Sequence, residues 1–272
     1  MGSNIPRHGQ AACKNSPPTK EVLTAYENPT KSKEKGVERS MKYMGSKNRI
    51  AKHILPIMLA ERKPCQWWVE PFVGGANMID KVGGNRIGAD INPYLIDALI
   101  AIRDCVSDLP KNNKEFTEDD YKQLRKRDGY KYKGYAGFAF SYGGKWLGGW
   151  RRDGAGKRDY VNESYKNALN QSPLLQGVRL INESYLGLQI PDNSLIYCDP
   201  PYEGTTKYKD GFNHVVFWQW CRNMVSKGHT IFVSEYNAPD DFECVWQKEL
   251  VSSLTKDTGS KTAIEKLFRY KT

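Results

Sequence analysis

The stretch Leu195-Ile196-Tyr197-Cys198-Asp199-Pro200-Pro201-Tyr202 constrains the fold of this chain more than any other. Its apolar run has the composition of a strand buried on both faces of a parallel sheet. Two prolines then stop it. Proline has no backbone N–H to donate, and it drives the residue before it into an extended conformation, so the ladder cannot continue past Asp199. A stiff loop at the carboxyl end of a buried strand is where open α/β sheets bind their ligands. This loop offers the Asp199 carboxylate, the Pro200 carbonyl and the Tyr202 ring. Those groups suit a flat base with an exocyclic amine: two acceptors for its N–H groups and one face on which to stack. Taken alone, the stretch could also be a plain strand followed by a proline turn.

The rest of the chain repeats the pattern of strand, turn and helix. Trp67-Trp68-Val69-Glu70-Pro71-Phe72-Val73-Gly74-Gly75-Ala76-Asn77 reads as a strand, a glycine turn and a helix start. The two glycines allow positive φ and close approach to the backbone. Arg86-Ile87-Gly88-Ala89-Asp90 reads as the next strand and ends in an acid. An acid about twenty residues after a glycine turn commonly holds ribose hydroxyls in nucleotide-binding α/β folds. The turn is not G-x-G-x-x-G, which weakens the case for a nicotinamide cofactor. Asn92-Pro93 opens a helix carrying Leu95, Ile96, Leu99, Ile100 and Ile102. Upstream, Tyr43-Met44-Gly45-Ser46-Lys47 precedes a helix with Ile50, Ile54, Ile57 and Met58 on one face, and Pro56 is expected to kink or break it. Further strands are expected at 178–182, 229–234, 244–247 and 265–270. A helix is expected over 212–227, ended by Gly228.

Between about 111 and 176 the composition shifts. Lys114, Arg125, Lys133, Lys145, Arg151, Arg152 and Arg158 alternate with Tyr130, Phe138, Trp146, Trp150 and Tyr160, with glycines between them. Cations meet phosphates, and planar side chains serve base contacts. The chain as a whole carries a formal net charge of +10, which points to a polyanionic partner. Some of these aromatics must instead build a local core. Residues 1–40 are polar, basic and proline-bearing, the composition of a disordered tail. The six cysteines lie scattered with no C-x-x-C pair, and the four histidines show no ligand spacing. That argues against a metal site or disulfide framework and for a reducing compartment. No run approaches the roughly 20 apolar residues of a membrane span, and no signal segment opens the chain.

KYMGSK (42–47), VEPFVGGAN (69–77), GADIN (88–92) and YCDPPY (197–202) stand in the order of the Dam family of adenine-N6 DNA methyltransferases, which this chain resembles over about 41–270. In these enzymes the D/N/S-P-P-Y/F/W loop is catalytic, and Asp in its first place is typical of adenine-N6 chemistry. The resemblance implies a Rossmann-like α/β methyltransferase domain with a mixed sheet and helices on both faces. That domain would comprise 41–110 and 177–272, interrupted by a target-recognition region at 111–176. It assigns S-adenosylmethionine to Tyr43, Lys47, Glu70, Pro71, Phe72, Gly74, Gly75, Asp90, Ile91 and Asp199. Catalysis falls to Asp199, Pro200, Pro201 and Tyr202, and double-stranded DNA to Lys145, Trp146, Arg151 and Arg152. Ser46 stands where a second glycine is usual, and Ala76 where another glycine is common. A monomeric cytoplasmic enzyme of a bacterial or phage-infected cell is expected, acting without metal on a flipped adenine. Two alternatives stay open. Methylation of cytosine-N4 or RNA is separable by nucleoside analysis, and a catalytically silent DNA-binding protein on the same fold by a methyl-transfer assay.

Overall fold

The computed structural model describes residues 40–126, 129–203, 211–251 and 262–271. Residues 1–39 of the expected tail lie outside these. Ser40 is buried, and its hydroxyl donates to Asp80 Oδ2 at 3.1 Å.

Seven strands form one sheet: β1 (Trp68–Glu70), β2 (Arg86–Asp90), β3 (Val178–Asn182), β4 (Leu195–Cys198), β5 (Thr230–Glu235), β6 (Phe242–Val251) and β7 (Thr262–Tyr270), in the order β3-β2-β1-β4-β5-β7-β6. Neighbours from β3 to β5 run parallel, and β7 lies antiparallel to both β5 and β6. The order and the mixed pairing make this a Rossmann-like sheet with an antiparallel edge. The chain steps outward from β1 to β2 to β3 and then returns to β4 on the other side of β1. That reversal opens a crevice at the carboxyl ends of β1 and β4.

β4 is wholly buried, as its unbroken apolar run requires. Leu195 and Tyr197 face a core shared with Trp68, Phe232 and three helices: α1 (Asn48–Ala60), α2 (Pro93–Asp104) and α5 (Tyr160–Leu175). Ile196 and Cys198 face a second core with Val69, Ile87 and α6 (His214–Ser226). Helices therefore cover both faces. α1 does not break at Pro56. The proline lies on the exposed side, where water can serve the carbonyl that lacks its amide partner. Leu55 takes the buried place beside Ile54, and Ile57 is half-buried. Asn92 caps α2, its Oδ1 accepting from the Tyr94 N–H at 3.1 Å, with Pro93 in the first turn.

The crossover from β2 to β3 is long. After α2 come α3 (Glu118–Gln123) and α4 (Lys133–Ala139), a 3-10 turn at Tyr142–Gly144, and then α5. Val161, Ala168 and Leu175 of α5 join the main core. Arg86, a buried strand residue, donates to the carbonyls of Leu174 and Gln176 at 2.8 and 2.6 Å. It thereby satisfies acceptors that the end of α5 leaves unpaired.

Candidate active site

Asp199, Pro200, Pro201 and Tyr202 leave β4 at the crevice. Asp199 is 22% exposed and takes an ion pair from Lys47 Nζ at 3.2 Å. The same ammonium lies 3.5 Å from Glu265 Oε2 on β7, and 4.4 Å above the Tyr202 ring. The Tyr202 hydroxyl donates to Glu265 Oε2 at 2.8 Å, and its ring meets Tyr236 edge-on at 4.7 Å. Burial raises the Asp199 carboxyl, Lys47 lowers it, and Glu265 raises it again, for a pKa of about 6. Burial works against the Lys47 ammonium, but Asp199 and Glu265 outweigh it and hold its pKa above the ordinary lysine value.

A third carboxylate lies below the loop. Glu235 ends β5 and is 1% exposed. It accepts from the backbone N–H of Tyr236 at 2.7 Å and of Glu203 at 3.1 Å, so it staples the residue that follows Tyr202. Burial pushes its carboxyl up to about 7.

Across β1 lies the glycine turn. Gly74 adopts φ 50°, and its N–H donates to Asp90 Oδ2 at 3.4 Å; Asp90 Oδ1 accepts from the Asn92 N–H at 3.0 Å. Burial raises the Asp90 carboxyl, and these two amides lower it again, with burial prevailing. Tyr43 covers the turn: a Cβ on Gly75 would sit 2.7 Å from the Tyr43 Cβ, so only glycine admits this packing. Ala76 also adopts positive φ, 57°, which is the physical reason that a glycine is common there. Ser46, the other departure, accepts the Asn48 N–H on its hydroxyl at 3.3 Å, near the start of α1, which a glycine could not do. Glu70 is buried, takes a hydrogen bond from the Trp68 indole at 2.7 Å, and is pushed well above the carboxylate range by burial. Pro71 is buried behind it, and the Phe72 ring packs at 5.3 Å on Tyr185 and 5.8 Å on Phe212.

Asp199 and Asp90 thus stand two strand spacings apart, about 10 Å. Ile91, next to Asp90, is 74% exposed. A half-buried acid next to an exposed aliphatic side chain offers acceptors for hydroxyls and an apolar face for a ring.

The residues assigned to DNA are placed less uniformly. Tyr142 N–H bonds the Gly149 carbonyl at 2.8 Å, and Ser141 bridges Trp150, so 141–150 forms a hairpin-like loop. Lys145 is exposed at its tip. Trp146 folds back, stacking on Tyr94 at 4.3 Å over Gly137, where a Cβ would strike its ring at 2.3 Å. With Arg125, Lys133 and Leu147 these two rings line an open cleft of about 390 Å³. Arg151 is mostly buried, pairs with Glu163 at 2.8 Å and lies 4.0 Å over Tyr160; Arg152 is exposed and pairs with Glu118. Phe116, Tyr121, Phe140 and Trp150 pack on one another as a local core. Among the described residues no three His, Cys, Asp or Glu side chains converge as a metal site, and no helix is long and apolar enough to cross a membrane.

Reasoning from sequence set Asp199 with Tyr202 in one loop and Gly74 with Asp90 in one cofactor site; it assigned Lys47 to the cofactor and gave no sign of its ion pair with Asp199. It missed Glu265. An acid in an alternating strand looks like a solvated face, and only its apolar neighbours Leu267 and Phe268 carried a signal.

Residues 43–143 match the family model described as D12 class N6 adenine-specific DNA methyltransferase. That span includes Tyr43, Lys47, the glycine turn and Asp90; Asp199 and its loop lie beyond it. No similar sequence is found among curated proteins. Among solved structures, SMU.472, a provisionally assigned methyltransferase crystallised with SAH, aligns at 10% identity and a TM-score of 0.34 over 86% of this chain and 55% of its own. The alignment thus spans only about half of that chain, and so slight a superposition says nothing about activity.

Proposed function

We propose that this protein transfers a methyl group from S-adenosylmethionine to the N6 amine of adenine in double-stranded DNA, with the target base turned out of the helix. The observation that carries this reading is the Asp199–Pro200–Tyr202 loop at the end of β4, one strand away from a glycine turn that is itself tied to Asp90. The match of residues 43–143 to the adenine-specific family supports it.

When bound, S-adenosylmethionine supplies a methyl carbon activated by a sulfonium. Asp90 would hold the ribose hydroxyls, with Ile91 against the adenine ring and the backbone of Gly74 and Gly75 close to the amino-acid end. Asp199 and the Pro200 carbonyl would accept the two N6 hydrogens. A nitrogen lone pair conjugated with the ring is a poor nucleophile, and anchoring both hydrogens localises it. Tyr202 offers the ring a face, and Pro201 stiffens the turn between acid and aromatic. As the nitrogen bonds the methyl carbon, the methyl carbon–sulfur bond would break with its electron pair left on a neutral thioether, and the nitrogen would shed its proton to the ionised Asp199 carboxylate, the acceptor within reach. No covalent enzyme intermediate is needed, since positioning does the work.

Residues 111–176 are assigned to target recognition, with Lys145 and Arg152 as phosphate contacts and the Tyr94–Trp146 cleft facing DNA. Arg151, already paired, shapes that surface from beneath. The enzyme is read as a monomer of the cytoplasm. The deciding experiment is methylation of mixed DNA followed by nucleoside analysis and single-molecule sequencing. N6-methyladenine at a fixed context is expected. N4-methylcytosine, methylated RNA alone, or no product would overturn the assignment.

A further inference from the structure

Lys47 occupies a telling position. Its ammonium donates to Asp199 and lies over the Tyr202 ring, so it occupies one acceptor that a target amine would use and the ring on which the base would stack. A second carboxylate, Glu265, waits at 3.5 Å on β7 and also holds the Tyr202 hydroxyl. Lys47 holds Asp199 Oδ1 and lies over one face of the Tyr202 ring, so a flipped base that uses that oxygen or that face must displace it. An ammonium leaves one carboxylate at little cost only when another receives it, because a buried unpaired charge is expensive.

Resting on the function proposed above, we infer that Glu265 is a positioning residue for methyl transfer: it receives the Lys47 ammonium as the target amine takes its place on Asp199, and it holds Tyr202 for stacking. Glu265 touches neither cofactor nor base. Its two hydrogen-bonding roles are separable, because glutamine keeps an acceptor for Tyr202 but has no charge for Lys47.

The Asp199 carboxyl faces Lys47, Glu265 and Tyr202, with Glu70, Glu235 and Tyr197 further off. Lys47 favours its ionisation and Glu265 opposes it, so their removal should shift it in opposite directions. Glu265→Gln moves the acid limb of kcat/KM for DNA to lower pH, since Lys47 then serves Asp199 alone. Lys47→Met moves it to higher pH.

The test compares parent, Glu265→Gln, Glu265→Ala, Lys47→Met and the Lys47→Met/Glu265→Gln double variant. Three quantities are measured: the pH profile of methylation, fluorescence of 2-aminopurine placed at the target adenine, and S-adenosylmethionine affinity by calorimetry. Glu265→Gln should lower kcat by about tenfold or more, the scale of a hydrogen bond to a charged group, and reduce the fluorescence rise on DNA binding. Cofactor affinity should hold within a few-fold. The double variant should recover part of the fluorescence lost in Glu265→Gln, since no ammonium then blocks Asp199. Glu265→Ala should fall below Glu265→Gln. If the parent methylates adenine while Glu265→Gln matches it in fluorescence and pH profile, the positioning role is wrong and the assigned function stands. If losses in the double variant simply add, the handover is also excluded. A parent that methylates no DNA at all overturns the function itself. Carbon-13 titration of the Asp199 carboxyl, which needs no DNA, still reports whether Lys47 and Glu265 oppose one another.

Discussion

Asp199 combines an ordinary side chain with an uncomfortable setting. Burial and Glu265 raise its carboxyl to about 6 against the pull of Lys47. As an acceptor it must be ionised, so kcat/KM for DNA should fall tenfold per pH unit below about 6 and level off above it. A profile flat to pH 5 would show that Asp199 is not the acceptor. The same shift has a stability consequence. A folded-state pKa above the unfolded value means that the native chain binds the proton more tightly, so this contribution is present at low pH and is lost as pH rises through about 6. Asp199→Asn should therefore abolish turnover yet melt higher than the parent at pH 8, by on the order of 2 kcal/mol, with the gain vanishing near pH 4. Asp90 is a different case. Asp90→Ala should weaken S-adenosylmethionine binding by about 1.5–3 kcal/mol, read by calorimetry, as hydrogen bonds to a charged group are lost.

The elements owe their positions to close backbone approaches. Gly134 of α4 lies against the first turn of α2: a Cβ there would meet the Tyr94 carbonyl oxygen at 2.2 Å. Neither helix can retreat without pulling Tyr94 from Trp146 or disturbing Asn92, whose N–H bonds Asp90. Gly134→Ala should therefore cost about 1–3 kcal/mol in urea unfolding, the scale of overpacking a filled interface. Gly154, with nothing near it, is the matched control, and Gly154→Ala should be near neutral. Equal midpoints for the two variants would mean that α2 and α4 are not locked by this contact.

Over the whole molecule, charge and shape divide the basic stretch into two jobs. Arg151 is tied to Glu163 and Tyr160, whereas Lys145 is exposed on a loop tip. Each phosphate contact released removes about one unit from the slope of log affinity against log salt. Lys145→Ala should flatten that slope for matched and scrambled duplexes alike, with thermal stability unchanged. Arg151→Ala should lower the melting temperature as well, because it removes one of the two guanidiniums that pair the half-buried Glu163, Arg158 being the other, and the cation lying over Tyr160. An identical salt slope for parent and Lys145→Ala would remove the loop from the DNA-facing surface.

The acid-ended strands, the glycine turn and the proline stop were legible in the residues themselves because each is a local instruction. A buried apolar run has to be a strand or a helix, proline ends a ladder, and Asn92-Pro93 ahead of an apolar helical pattern marks a helix start. Those signals placed Asp199, Tyr202, Gly74 and Asp90 at strand ends before any packing was known. Tertiary structure decided what stands opposite them. Glu265 reaches Lys47 only because β7 folds back antiparallel beside β5, and nothing near Glu265 in the chain announces that neighbour. α5 was legible as part of a basic stretch but is drawn into the main core, where Gln171 accepts the Met41 N–H and donates to the Gly75 carbonyl. Trp146 and Arg151, which composition marks as ligand-seeking, also stack on Tyr94 and pair with Glu163 over Tyr160. Those partners are supplied by the fold rather than by neighbours in the chain.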